Sequence, residues 1–88
     1  MFSKEITIMN ATGLHARPAS MFVQAAGKYK SDIYVVKDGK KINAKSIMGI
    51  MAGGIAKGTL VCVEAEGEDE QEAVEALVAL IESKFGEE

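Results

Sequence analysis

Ile33-Tyr34-Val35-Val36-Lys37-Asp38-Gly39-Lys40-Lys41-Ile42-Asn43-Ala44 is a pair of short alternating stretches around an Asp-Gly dipeptide. Ile33 and Val35 alternate with Tyr34 and Val36, as on a strand with one covered face, and Ile42 and Ala44 continue the pattern on a returning strand. A two-residue hairpin loop needs positive φ at both central positions, and Asp-Gly tolerates this. The stretch therefore reads as an antiparallel hairpin. A lone hairpin is at best marginally stable in water, so the rest of the chain must supply further strands and a cover.

Both are legible. Ile6 and Ile8 alternate with Glu5, Thr7 and Met9, which predicts a half-buried strand over residues 2–9, and residues 10–13 read as a loop. From Ala16 onward, Ala19, Phe22, Val23 and Ala26 fall on one face of a helix ending near Gly27. Residues 46–53 read as a two-turn helix capped by Ser46, although its glycines are poor helix formers. In residues 59–66, Val61, Val63 and Ala65 are assigned to the core and Leu60, Cys62 and Glu64 to the outer face. Asp69 followed by Glu72 resembles a capping box, and Ala73, Val74, Leu77, Leu80 and Ile81 form the apolar stripe of a last helix reaching about Phe85. Three helices and a one-faced sheet predict an α+β, open-faced two-layer sandwich with the other sheet face solvated.

The chain has 88 residues, 48% of them hydrophobic, and reads as one domain over residues 1–88. A domain of this size buries only about 60% of its unfolded surface, so a deep pocket is not expected. One cysteine, Cys62, forms no internal disulfide, and one Cys with one His falls short of a structural zinc site. No metal or cofactor is expected. Neither a membrane span nor a signal peptide is visible, and the expected compartment is the cytoplasm. The net charge of −3 conceals an asymmetry: residues 1–58 carry nine basic and three acidic side chains, residues 59–88 one and ten. One end could thus meet an acidic partner while the other stays solvated.

The chemistry concentrates in Gly13-Leu14-His15-Ala16-Arg17-Pro18-Ala19-Ser20, where the only His, Arg and Pro open a helix. Pro18 in the first turn removes a donor that had no intrahelical partner, and the remaining free amides with the helix dipole favour an anion. Arg17 offers a permanent guanidinium suited to phosphate oxygens, and His15 is a nitrogen nucleophile. A phosphoryl group on the imidazole would meet its countercharges at once. From the residues alone, an ordinary helix start with a solvated His and Arg fits as well.

Lys45-Ser46-Ile47-Met48-Gly49-Ile50-Met51 is the second candidate. A phosphate on Ser46 would be favoured by the helix start and would place charge beside an apolar surface, which suits a switch; from spacing alone a plain N-cap serine is the preferred reading. Ile47, Met48 and Met51 cannot all face inward on so short a helix, and exposed methionines suit docking to several partners. Gly54-Ile55-Ala56-Lys57-Gly58-Thr59 has the wrong order for a phosphate-binding loop and leads into a strand. Nucleic-acid binding lacks the interleaved basic and aromatic surface it needs, and no direct membrane contact is expected.

Taken together, Gly13-Leu14-His15-Ala16-Arg17-Pro18 and Lys45-Ser46-Ile47-Met48-Gly49, at this separation in a chain of this length, resemble the histidine-containing phosphocarrier family, HPr, of the sugar phosphotransferase system. The likeness covers essentially the whole chain, and the Ser46 motif resembles the form found in Firmicutes. The resemblance implies a four-stranded antiparallel sheet of order 1-4-2-3 under three helices. It implies that His15 accepts a phosphoryl group on Nδ1 from phospho-enzyme I and passes it to sugar-specific EIIA domains, with phosphoenolpyruvate as the ultimate donor. Arg17 would neutralise the phosphoryl oxygens, with backbone N–H groups of Ala16 and Arg17 beside them. Ser46 matches the target of HPr kinase/phosphorylase, whose product binds the catabolite control protein in carbon catabolite repression. Ile47, Met48 and Met51 match the docking surface. Position 53, usually leucine in the family, is Gly53 here. The catabolite-repression paralogue of the family lacks the active histidine, which His15 argues against. A carrier that presents one face to successive partners is expected to be a monomer. Two alternatives stand beside this reading: a regulatory module acting only through Ser46, and an acylphosphatase-like hydrolase using Arg17 and a glycine loop.

Overall fold

The computed structural model of the chain describes residues 1–87. The elements in chain order are β1 (Phe2–Thr7), α1 (Ala16–Ala26), β2 (Asp32–Lys37), β3 (Lys40–Asn43), α2 (Ile47–Ala52), β4 (Leu60–Glu66) and α3 (Glu70–Glu82), followed by a 3-10 turn at Lys84–Gly86. The expected hairpin is β2 and β3, turned by Asp38 at φ 50° and Gly39 at φ 78°. The sheet order is β1-β4-β2-β3, with every pairing antiparallel. This is the α+β sandwich expected from the sequence.

Alternation sets the layers. Across β1, β4 and β2 the register places Ile6 opposite Val61 and Val63 opposite Val35, so the inward residues form one apolar face. Phe22 of α1, Ile50 of α2 and Val74, Leu77 and Ile81 of α3 are buried in the same core. Cys62 lies half-buried on the opposite face, beside Glu64, which pairs with Lys41 at 3.3 Å.

Three details depart from expectation. The capping box of Asp69 and Glu72 does not form; the Asp69 carboxylate instead accepts from Lys30 N and Ser31 N, at 2.9 and 3.0 Å, and from Ser31 Oγ. Buried Ser31 and the turn before β2 carry donors that need an acceptor, which the Asp69 carboxylate supplies, while Glu70 Oε1 accepts from Gly67 N in the loop ahead of α3 at 3.1 Å. In α3 the covered stripe includes Val78, while Leu80 is only half-buried. The helix stops at Glu82, because Lys84 and Phe85 take left-handed φ values of 58° and 53°, and this reversal returns the Phe85 ring to the core.

Candidate functional site at the start of α1

The segment leading to His15 is held by backbone bonds to the loop before β4. Ile8 N donates to Thr59 O at 2.9 Å, and Leu14 N donates to Ile55 O at 2.8 Å. The approach requires glycine at position 13: its φ is +66°, and a Cβ there would fall on the Ile55 carbonyl oxygen and 2.7 Å from Ala56 Cα. Leu14 is buried in the core, so the chain direction turns the next side chain, His15, out to solvent.

His15 is the N-cap residue of α1, with extended φ and ψ of −130° and 151°, and its side chain makes no capping bond. The imidazole is therefore not spent on the helix. Ala16 follows with φ +48°, a left-handed conformation that costs an alanine about 1–2 kcal/mol. Arg17 is exposed in the same first turn, and Pro18 is buried against the core. The early amides of this 11-residue helix have no intrahelical acceptors, and no acidic side chain lies in its first turn.

A set of residues that the sequence did not single out completes the surroundings. Asn10, fully buried, donates through Nδ2 to Gly13 O and to Glu87 Oε1, both at 2.9 Å. Thr12 Oγ1 donates to the Glu87 carboxylate at 3.0 Å, and the Thr12 amide reaches it at 3.4 Å. The Asn10 bond, then those from Thr12, with a smaller share from the charge of Arg17, hold the Glu87 carboxyl below the usual glutamate range. Glu87 thus fastens the loop that carries His15. Asn10 and Gly13 form a visible turn signal in the sequence, but nothing local links them to a residue 77 positions away.

The second candidate is α2. Ser46 caps it, its Oγ accepting from Gly49 N at 3.1 Å. Ile50 alone is buried, and Ile47, Met48 and Met51 are all exposed, by 39%, 80% and 41%. His15 and Met51 line one shallow cleft with Thr12 and Ile55. Ser46 stands at the opposite end of the helix, about 7.5 Å from Met51 along an axis that rises about 1.5 Å per residue. The structure therefore joins His15 to the apolar face of α2 and leaves Ser46 at its far edge. Among the described residues no group of three or more His, Cys, Asp or Glu side chains is arranged to hold a metal ion.

One exposed imidazole thus stands at a helix start, beside an exposed apolar patch. The family pattern described as the PTS HPr component phosphorylation site matches residues 2–83. The chain is 51% identical over 84 residues to the HPr-like protein Crh of Halalkalibacterium halodurans, covering 96% of this chain and 100% of that protein. It is 46% identical over 87 residues to the phosphocarrier protein HPr of Neisseria meningitidis, covering 99% and 98%. The crystal structure of HPr-C-His from Thermoanaerobacter tengcongensis superimposes with a TM-score of 0.97 at 62% identity, covering 100% of this chain and 99% of that one; an HPr dimer from the same organism gives 0.80 at 62% identity, covering 99% and 100%. The chain belongs to the HPr family of phosphocarrier proteins, which are not enzymes. The hydrolase alternative falls with that membership.

Proposed function

We propose that this chain is a phosphoryl carrier of the sugar phosphotransferase system, loaded at His15. The observation that carries the reading is His15 itself, exposed at the start of α1 with an imidazole that caps nothing. In the transfer from phospho-enzyme I, the Nδ1 lone pair attacks phosphorus, a new N–P bond forms, and the donor's bond to phosphorus breaks with its electron pair returning to the donor. Transfer to an EIIA domain repeats the exchange with His15 as donor. The guanidinium of Arg17 and the backbone N–H groups of Ala16 and Arg17 supply countercharge to the phosphoryl oxygens, and Pro18 sets the first turn.

Ser46 is the regulatory site in this proposal, modified by HPr kinase/phosphorylase and then read by the catabolite control protein. A phosphate there sits at the edge of the Ile47, Met48 and Met51 surface, where its charge opposes docking of a partner suited to the uncharged face. A second reading, a Crh-like regulatory module that uses only Ser46, is favoured by the identity to Crh. The two separate on one assay: transfer of label from phosphoenolpyruvate through this chain to an EIIA domain. Transfer that survives Ser46→Ala and is lost in His15→Ala supports the carrier. No transfer, with serine phosphorylation and binding to the catabolite control protein intact, supports the regulatory module. The carrier reading places the chain in the cytoplasm as a monomer, and sedimentation at micromolar concentration tests the latter against the dimer known for a relative.

A further inference from the structure

A groove between β3 and α2, away from His15, is not used by the reading above. Its apolar lining comes from half-buried Ile42 and from Ala52 on the exposed side, while Gly49 and Gly53 contribute no side chain. The open volume is about 490 Å³, within the size range of small-molecule sites. A Cβ at Gly53 would lie 2.7 Å from Ile42 Cδ1, the movable end of that side chain, so a larger residue there would push Ile42 aside and occupy the floor.

The rim is basic. Lys37 Nζ donates to Gly53 O at 3.2 Å and Gly54 O at 2.9 Å, which holds a positive charge at the mouth and leaves one of its three hydrogens. Lys40 also lines the groove and has no ion-pair partner among the described residues. Lys41 contributes its stem alone, since its ammonium is paired with Glu64 at 3.3 Å and lies 4.7 Å from the Tyr34 ring centre. Asp38 is the one carboxylate on the lining. Two ammonium groups against one carboxylate, above an apolar floor, are complementary to a ligand that is apolar at one end and anionic at the other.

We propose that this groove binds a small amphipathic anion: a body of one ring or a short branched chain, bearing a single phosphate or carboxylate group. The body rests on Ile42 and over Gly53, and the anion lies between Lys40 and Lys37. Neither half suffices alone, because an exposed ion pair contributes little and the apolar floor is small. Affinity for a ligand of this size is about millimolar.

Titration of the isotope-labelled full chain with phenyl phosphate, followed by amide NMR shifts, tests this, with benzyl alcohol and inorganic phosphate as the two half-ligands. Expected are saturable shifts at Lys40, Ile42, Gly49 and Gly53, and weaker binding of either half-ligand. Lys40→Gln should weaken phenyl phosphate about threefold, as expected for one exposed charged contact. Gly53→Val should abolish the shifts by filling the floor. Ala52→Leu narrows the groove from an exposed position, so it and Lys40→Gln decide the matter even where Gly53→Val fails to fold. Shifts centred on His15 and Arg17, inorganic phosphate binding as tightly as phenyl phosphate, or Lys40→Gln and Ala52→Leu both leaving affinity unchanged would overturn the proposal.

Discussion

Replacing Gly13 by alanine tests how the fold positions His15. Two costs are set by the geometry. An L-residue held at φ +66° costs about 1–2 kcal/mol. The added methyl also meets the Ile55 carbonyl oxygen and Ala56 Cα, both backbone atoms that cannot rotate aside. Relief requires residues 55–56 to move away, which breaks the bond from Leu14 N to Ile55 O, a further loss of about 1 kcal/mol. The expected destabilisation is about 2–4 kcal/mol, and at roughly 4–8 °C per kcal/mol for a domain of this size, Tm should fall by about 8–32 °C. Two other glycines are internal controls. Gly39, at φ +78° with nothing within 4 Å of a Cβ, should lose only the backbone cost, about 1–2 kcal/mol. Gly27, in right-handed conformation with its nearest neighbours at 3.5 Å, should accept alanine without loss. Urea and thermal unfolding of the three variants give the order, and the rate of phosphoryl acceptance below the transition shows whether the 13–15 segment has moved. A Gly13→Ala protein as stable as Gly39→Ala, or one that accepts phosphate at the unaltered rate, would refute the claim that this contact places His15.

Other outcomes follow from the same structure. Ser46→Ala removes the cap of α2 and should cost about 1 kcal/mol in urea unfolding while leaving labelling of His15 intact; Ser46→Asp should slow acceptance from enzyme I in a kinetic assay. Ala16→Gly relieves the φ +48° strain and should be neutral or stabilising, whereas Ala25→Gly in the last turn of α1 should cost about 0.5 kcal/mol. The Ser31 hydroxyl, then the Lys30 and Ser31 amides, hold the Asp69 carboxyl below its ordinary 3.8. Its folded pKa is depressed, so its contribution is present above the unfolded value and is lost as pH falls through the lower folded value. Asp69→Asn should therefore be less stable at pH 7, with the gap to wild type closing only below about pH 4 in acid titrations. Phe22→Ala should cost about 3–5 kcal/mol, a large part of the stability of a domain this size, measured by thermal unfolding.

Local chemistry made most of the fold legible. Asp38-Gly39 fixed a turn, strand alternation fixed which of Val61, Cys62 and Val63 faced inward, and Ser46 capped the helix it precedes. The readings that failed depend on groups brought together by tertiary structure. Asp69 had the spacing of a capping residue, but buried donors at Ser31 competed for its carboxylate, and no pattern within α3 reveals them. Phe85 continued an apolar stripe in sequence and reached the core by a backbone reversal instead. At the site, His15, Arg17 and Pro18 stood out because each is the only residue of its type and all three open a helix. Asn10, Thr12 and Glu87 did not, because their joint role rests on bonds spanning 75 or more positions. The left-handed Ala16 was likewise silent, since alanine signals no positive φ.

The central claim is that His15 carries the phosphoryl group. Incubating the chain with phosphoenolpyruvate and active enzyme I, then measuring intact mass before and after mild acid, addresses it directly. A single acid-labile phosphoryl adduct that is absent in His15→Ala is the predicted result. No adduct on the folded chain, or one that persists in His15→Ala, would contradict it.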